Sequence, residues 1–167
     1  MNSPADWQNF AVVTGGASGA LTGLLFVAVS LNASRIAGHR GLRASAAQTL
    51  VLFMMPLVTA VVLLVPGQAD WAIGGELIVA GLGSSVTLLG IGRNLHSLSD
   101  DDKRRISIFD RRDTNVTVML LFVASGALLA SGTSDGLYLL LPAMIVAFIS
   151  GVLNAWNFLL PPIQKQG

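Results

Sequence analysis

From Trp7 to Leu31 the chain runs 25 residues without a charged side chain, and from Ala44 to Ala69 it does so again. Runs of this length are what a helix needs to cross a hydrocarbon core about 30 Å thick, which takes about 20 mainly apolar residues. They leave little from which to build a surface that faces water. Of the 167 residues 53% are hydrophobic and only 11% charged, against roughly 25% charged in a soluble domain. The composition also excludes a disordered chain and, with no cysteine at all, a disulfide-stapled module. A net charge of +1 gives no electrostatic footprint for nucleic acid. The expected fold is an all-α integral membrane protein, with residues 1–167 forming one transmembrane domain.

The apolar runs predict a compact bundle of five spans, at about 7–31, 44–65, 71–95, 115–131 and 137–160. The fourth is the shortest. It is read either as a full span that starts earlier, near Ile106, or as half of a re-entrant pair, which would leave four spans plus a re-entrant segment. The turn signal Gly132-Thr133-Ser134-Asp135-Gly136 between two apolar runs favours the full span. Charge sorts the loops. Loop 32–43 carries Arg35, Arg40 and Arg43; loop 96–114 carries Lys103, Arg104, Arg105, Arg111 and Arg112, with Arg93 just before it. The connections 66–70 and 132–136 carry no base, and Lys165 lies in the tail. By the positive-inside rule the two basic loops and the C-terminus are cytoplasmic and the N-terminus is outside. No separate signal peptide is expected, because residues 1–6 contain no base. Trp7, Trp71 and Trp156 fall near span ends, where amphipathic rings are favoured. Pro56 and Pro142 fall inside spans two and five and should kink them. The short loops suggest a bacterial cell membrane.

Three local patterns resemble chemical motifs. Phe10-Ala11-Val12-Val13-Thr14-Gly15-Gly16-Ala17-Ser18-Gly19 resembles the opening strand and turn of the short-chain dehydrogenases, whose glycines let backbone amides approach a cofactor pyrophosphate. The likeness stops after about ten residues: the last family glycine falls on Leu21. Tyr138 is the only tyrosine and no lysine follows it at helical spacing, so the family's catalytic pair is missing. Gly132 to Gly136 also matches the G-x-S-x-G nucleophile pattern, but no histidine follows it. Asp100-Asp101-Asp102 supplies hard oxygen ligands, yet reads better as the acidic first turn of a helix capped by Ser99 and followed by Lys103, Arg104 and Arg105. No catalytic residue, cofactor or metal site is therefore expected, and an enzyme is not.

The spans carry two other signals. Small residues recur every four positions, as Ala11, Gly15, Gly19 and Gly23 in the first span and Ala143, Ala147, Gly151 and Ala155 in the fifth. Such stripes let helix backbones approach closely, and they imply tight pairs and a homo-oligomer. Polar groups at membrane depth need protein or water around them. Glu76, Gly83, Thr87, Gly90 and Asn94 share one face of the third span, Thr14, Ser18 and Thr22 lie along the first, and Ser150, Asn154 and Asn157 lie at the inner half of the fifth. These are the candidate pore-lining or ion-binding groups, although a serine or threonine in a membrane helix commonly bonds only its own i−4 carbonyl. The run Leu24-Leu25-Phe26-Val27-Ala28 recurs as Leu120-Leu121-Phe122-Val123-Ala124, the form an inverted repeat would take.

Together these features point to a homo-oligomeric ion channel or pore. Asp6, Asp70, Glu76 and Asp135 on the outer side favour cations. The alternatives are a non-conducting regulatory or scaffolding partner of another membrane complex, with loop 97–113 as its contact, and a small-solute transporter.

Overall fold

The computed structural model describes residues 7–93 and 111–159. Among these, all regular structure is helical. Helix α1 spans Gln8–Leu31, the short α2 Ala33–Gly38, α3 Arg40–Leu64, α4 Asp70–Arg93 and α5 Arg111–Ala130; a 3-10 segment, Ser134–Leu139, leads into α6, Leu140–Leu159. Among the described residues three helical stretches are long and apolar enough to cross a membrane: Gln8–Leu31, Arg40–Leu64 and Asp135–Trp156. The apolar part of α5, Asn115–Ala130, is shorter. Helix α4 begins at Asp70, and Glu76 interrupts its apolar run.

Helix α3 is the centre of the bundle and packs on α1, α4 and α6, while α4 lies along α5 and α5 touches α6. The main core joins Leu52, Met55, Ala60 and Leu63 of α3 to Ile73 and Leu77 of α4, Phe122 and Leu129 of α5, and Met144 and Ala147 of α6. The closest approach is between α4 and α5. A Cβ added at Gly74 would stand 2.6 Å from the Gly126 carbonyl oxygen, and one at Gly126 the same 2.6 Å from the Gly74 oxygen. Any larger residue at either position forces the helices apart. After α5 the chain reverses through Gly132, whose φ of +86° is a left-handed conformation that L side chains rarely adopt.

Several expectations change. Pro142 is the third residue of α6, not an interior one. The first amides of a helix have no intrahelical acceptor, so a proline there starts a helix without kinking it. Pro56, by contrast, lies inside α3 and is buried. Trp7 is not a ring at a lipid interface: it is buried and packs edge-on against Phe10 and Tyr138, with ring centroids at 5.3 and 5.1 Å. This ties the start of α1 to the 3-10 segment. Trp71 and Trp156 are exposed. The five-residue echo does not mark a repeat of structure. Phe26 is 59% exposed and its counterpart Phe122 fully buried, and α1 packs chiefly on α3, the next long helix, whereas α5 packs chiefly on α4, the helix before it. Finally, the dehydrogenase-like run Phe10–Gly19 lies within continuous helix, with no strand or turn to cradle a phosphate.

Candidate functional site

The polar residues that bear on the sequence reading gather at three places among the described residues, with Thr59 and Ser125 buried elsewhere. The first is the outer surface of α4. Glu76, Gly83 and Thr87 all face away from the other helices, among exposed Trp71, Val79 and Val86. The Thr87 hydroxyl donates to the Gly83 carbonyl at 3.0 Å, one turn back. The Glu76 side chain is exposed, so the rest of the chain leaves this face uncovered. Asn94, the inner end of that stripe, lies outside the described residues, as do His96 and Asp100 to Asp102.

The second place is the contact between α1 and α3. Thr14 is buried and its hydroxyl donates to the Phe10 carbonyl at 2.7 Å. Ser18 is fully buried and donates across to the Phe53 carbonyl of α3. Pro56 has no N–H, so α3 loses its intrahelical bond to the carbonyl of Leu52, one residue before the carbonyl that Ser18 reaches. Thr22 Oγ1 is buried without a hydrogen-bond partner. The α1 hydroxyls expected to line a pore thus point into the protomer. Of the small residues beside them, Gly15 meets α3, where an added Cβ would come within 2.9 Å of the Ala60 Cβ; Gly19 and Gly23 have open space around them. In α6, Ala143 and Ala147 are buried in the core, Gly151 receives the Phe53 ring, and Ala155 is half-buried beside it.

The third place is the end of the bundle where α3 and α5 begin and α6 finishes. Ser45, Gln48, Thr49 and Asn154 are all buried here. Gln48 Nε2 donates to Asn115 Oδ1 at 3.1 Å, joining α3 to α5, and Asn154 Nδ2 donates to the Ser45 carbonyl at 3.4 Å, joining α6 to α3. The Ser45 and Thr49 hydroxyls donate back to Gly41 and Ser45 carbonyls at 3.0 and 2.9 Å. Sequence reasoning singles out Asn154 but misses Gln48 and Asn115. The available signal was the spacing of Ser45, Gln48 and Thr49, which at i, i+3 and i+4 lie on one stripe of an otherwise apolar helix. The side chain of Asn157 lies outside the described part. These groups are neutral amides and hydroxyls, suited to joining helices and incapable of acid–base work. Among the described residues no set of three or more His, Asp or Glu converges to hold a metal.

Comparison with known proteins finds no matching family model, curated protein or solved structure. The three polar regions are therefore the basis for any reading of function.

Proposed function

We propose that the chain is a five-span protein of the plasma membrane, with its N-terminus outside and C-terminus cytoplasmic, that assembles as a homo-oligomer around a cation-conducting pore lined by α4. The observation that carries this reading is the outward polar face of Glu76, Gly83 and Thr87. A carboxylate facing lipid is costly, whereas the same carboxylate facing an aqueous axis is hydrated. Placing α4 at the axis resolves that cost. Helix α1 is the weaker lining, because Thr14 and Ser18 already use their hydroxyls inside the protomer.

The five-span arrangement rests on length and charge. The long helices contain between 20 and 25 residues, or about 30 to 37 Å at 1.5 Å per residue. That α5 runs as one helix of 20 residues from Arg111 favours a full span over a re-entrant segment. The basic loops fall on one side only when all five helices cross.

The test is flux of K+, Na+ and Cl− from liposomes containing the purified oligomer. Cation flux is expected, with Glu76→Gln lowering cation preference several-fold and Thr14→Val leaving it unchanged. Selectivity that ignores Glu76→Gln removes α4 from the pore. A second reading, a non-conducting partner of another membrane complex, is favoured by the exposed side of α1, which the rest of the protomer leaves uncovered. Absence of flux from a well-folded oligomer, across voltage and pH, would select it.

A further inference from the structure

Three series on α1 recur at steps of four residues: Ala11, Gly15, Gly19 and Gly23; Thr14, Ser18 and Thr22; and Leu21, Leu25 and Val29. Each series has a member that fixes the register of α1 on α3. Gly15 lies against Ala60, the Ser18 hydroxyl donates to the Phe53 carbonyl, and Leu25 packs in one cluster with Phe53. A helix moved along its own screw by four residues, about 6 Å with a turn of about 40°, carries each residue to the place of the one before it in its series. Gly19 then meets Ala60, Thr22 meets the Phe53 carbonyl, and Val29 takes the place of Leu25. The move gives Thr22 an acceptor. A threonine in a membrane helix commonly bonds the carbonyl four residues back, yet Thr22 Oγ1 is buried with no hydrogen-bond partner. In the moved register it donates to α3. Ser18, then at the place of Thr14, has a carbonyl of its own helix within reach, as Thr14 does in the present register. The opposite motion is closed, because it brings the Cβ of Ala11 to a position 2.9 Å from the Ala60 Cβ.

Contacts at the two ends of α1 hold the present register. At its start Trp7 is buried, and its ring meets Tyr138 of the 3-10 segment at 5.1 Å. Just past its end, Ile36 of α2 is buried. Between them α1 is loosely held, with 11% of its most apolar window buried. The short α2 also supplies slack. Its 6 residues span about 9 Å as helix and about 20 Å extended, a difference larger than the motion takes up. We propose that α1 has two registers on α3, one helical turn apart. The present one is latched by Trp7, and the second is reached by sliding toward the α1 N-terminus when that latch opens. Packed elements switch by such one-turn steps because the positions in between satisfy neither set of contacts. The slide carries exposed Phe26 to the place of the smaller Thr22 and gives up the Trp7 contacts, so the second register is the minor one. The inference does not rest on conduction.

The experiment uses the full chain in lipid bilayers, spin-labelled through Leu31→Cys and Val61→Cys and diluted with unlabelled chain so that distances within one chain are read. Both sites are exposed, and the chain has no cysteine of its own. Leu31 ends α1, and Val61 follows the Ala60 that lies against Gly15, so the slide brings the two labels together. Pulsed electron–electron double resonance is expected to show a main distance and a minor one about 5 Å shorter, most of the length of the slide. Trp7→Ala and, with the latch intact, Phe26→Ala should each raise the minor population by about three-fold or more. Gly19→Val should remove it, since the valine would have to enter the place of Gly15 against Ala60. Thr22→Val should lower it by about three-fold or more, because the moved register then leaves the Phe53 carbonyl without its donor. A single distance in both Trp7→Ala and Phe26→Ala overturns the proposal, as does a shorter distance that Gly19→Val or Thr22→Val leaves unchanged.

Discussion

The α4–α5 pair and the α1–α3 pair are joined by different chemistry. Between α4 and α5 two glycines face each other and the backbones meet directly, so that not even a methyl group fits at Gly74 or Gly126. Between α1 and α3 the contact is one close approach at Gly15, one hydroxyl bond from Ser18, and apolar packing of Leu25 with Phe53. Burial follows. In the most apolar window of α1 only 11% is buried, against 56% in α3. Both α1 and α6 carry small residues every four positions, yet Ala143, Ala147 and Gly151 of α6 are buried within the chain while Gly19 and Gly23 of α1 meet open space. A stripe of glycines therefore specifies that a backbone can approach closely, and leaves open whether the approaching chain belongs to the same protomer.

The strongest way to test this difference is to fill the glycines. Gly126→Val places methyl groups where the Gly74 oxygen and the Ile78 side chain already stand. It should destabilise the fold by about 3 kcal/mol, the upper range for overpacking, seen as a large fall in melting temperature or loss of monodisperse protein. Gly19→Val enters open space and should change protomer stability by less than about 0.5 kcal/mol. A fall in oligomer mass with Gly19→Val, at unchanged protomer stability, would locate a subunit contact on α1. Equal losses from the two substitutions would erase the distinction between the pairs.

The polar cluster around Gln48 gives a smaller and sharper effect. Gln48→Leu leaves the Asn115 amide without its α3 donor and should cost about 1 kcal/mol, typical of a hydrogen bond between membrane helices. A double-mutant cycle with Asn115→Ala isolates the pair, and a coupling near zero would mean that the two amides are each satisfied elsewhere.

What the sequence revealed divides along the same line. The helical fold could be read because apolar runs and charge-free lengths are properties of each segment taken alone. Pairing could not, since it depends on which of several similar stripes meet. The spacing of Ala143, Ala147 and Gly151 is no different in kind from that of Gly15, Gly19 and Gly23, yet the first set is buried and the second is mostly open. The hydroxyls of α1 and the polar face of α4 also read alike, and only packing shows that the former turn inward and the latter outward. The spacing of Ser45, Gln48 and Thr49 marks a polar stripe on α3, but nothing in it points to the Gln48 partner 67 positions away.

The smallest effect bears on the α1–α3 contact itself. Ser18 and Thr14 sit one helical turn apart on α1, both buried, but their hydroxyls differ in what they join. Thr14 bonds a carbonyl of its own helix, so Thr14→Val exchanges one group of similar shape for another and leaves no foreign acceptor behind. Ser18 bonds the Phe53 carbonyl of α3, so Ser18→Ala strips a donor from a neighbouring helix. We expect a loss of about 0.6 kcal/mol for Ser18→Ala, the average for such bonds in a membrane protein, and a smaller change for Thr14→Val, both read from reversible unfolding in mixed micelles. Hydrogen exchange gives the finer reading. Amides of α1 should exchange faster in Ser18→Ala while those of α4 and α5 do not, because the glycine-packed pair is held by contacts that this bond does not touch. Faster exchange spread evenly over all the helices would mean that α1 is as integral to the bundle as the pair beside it.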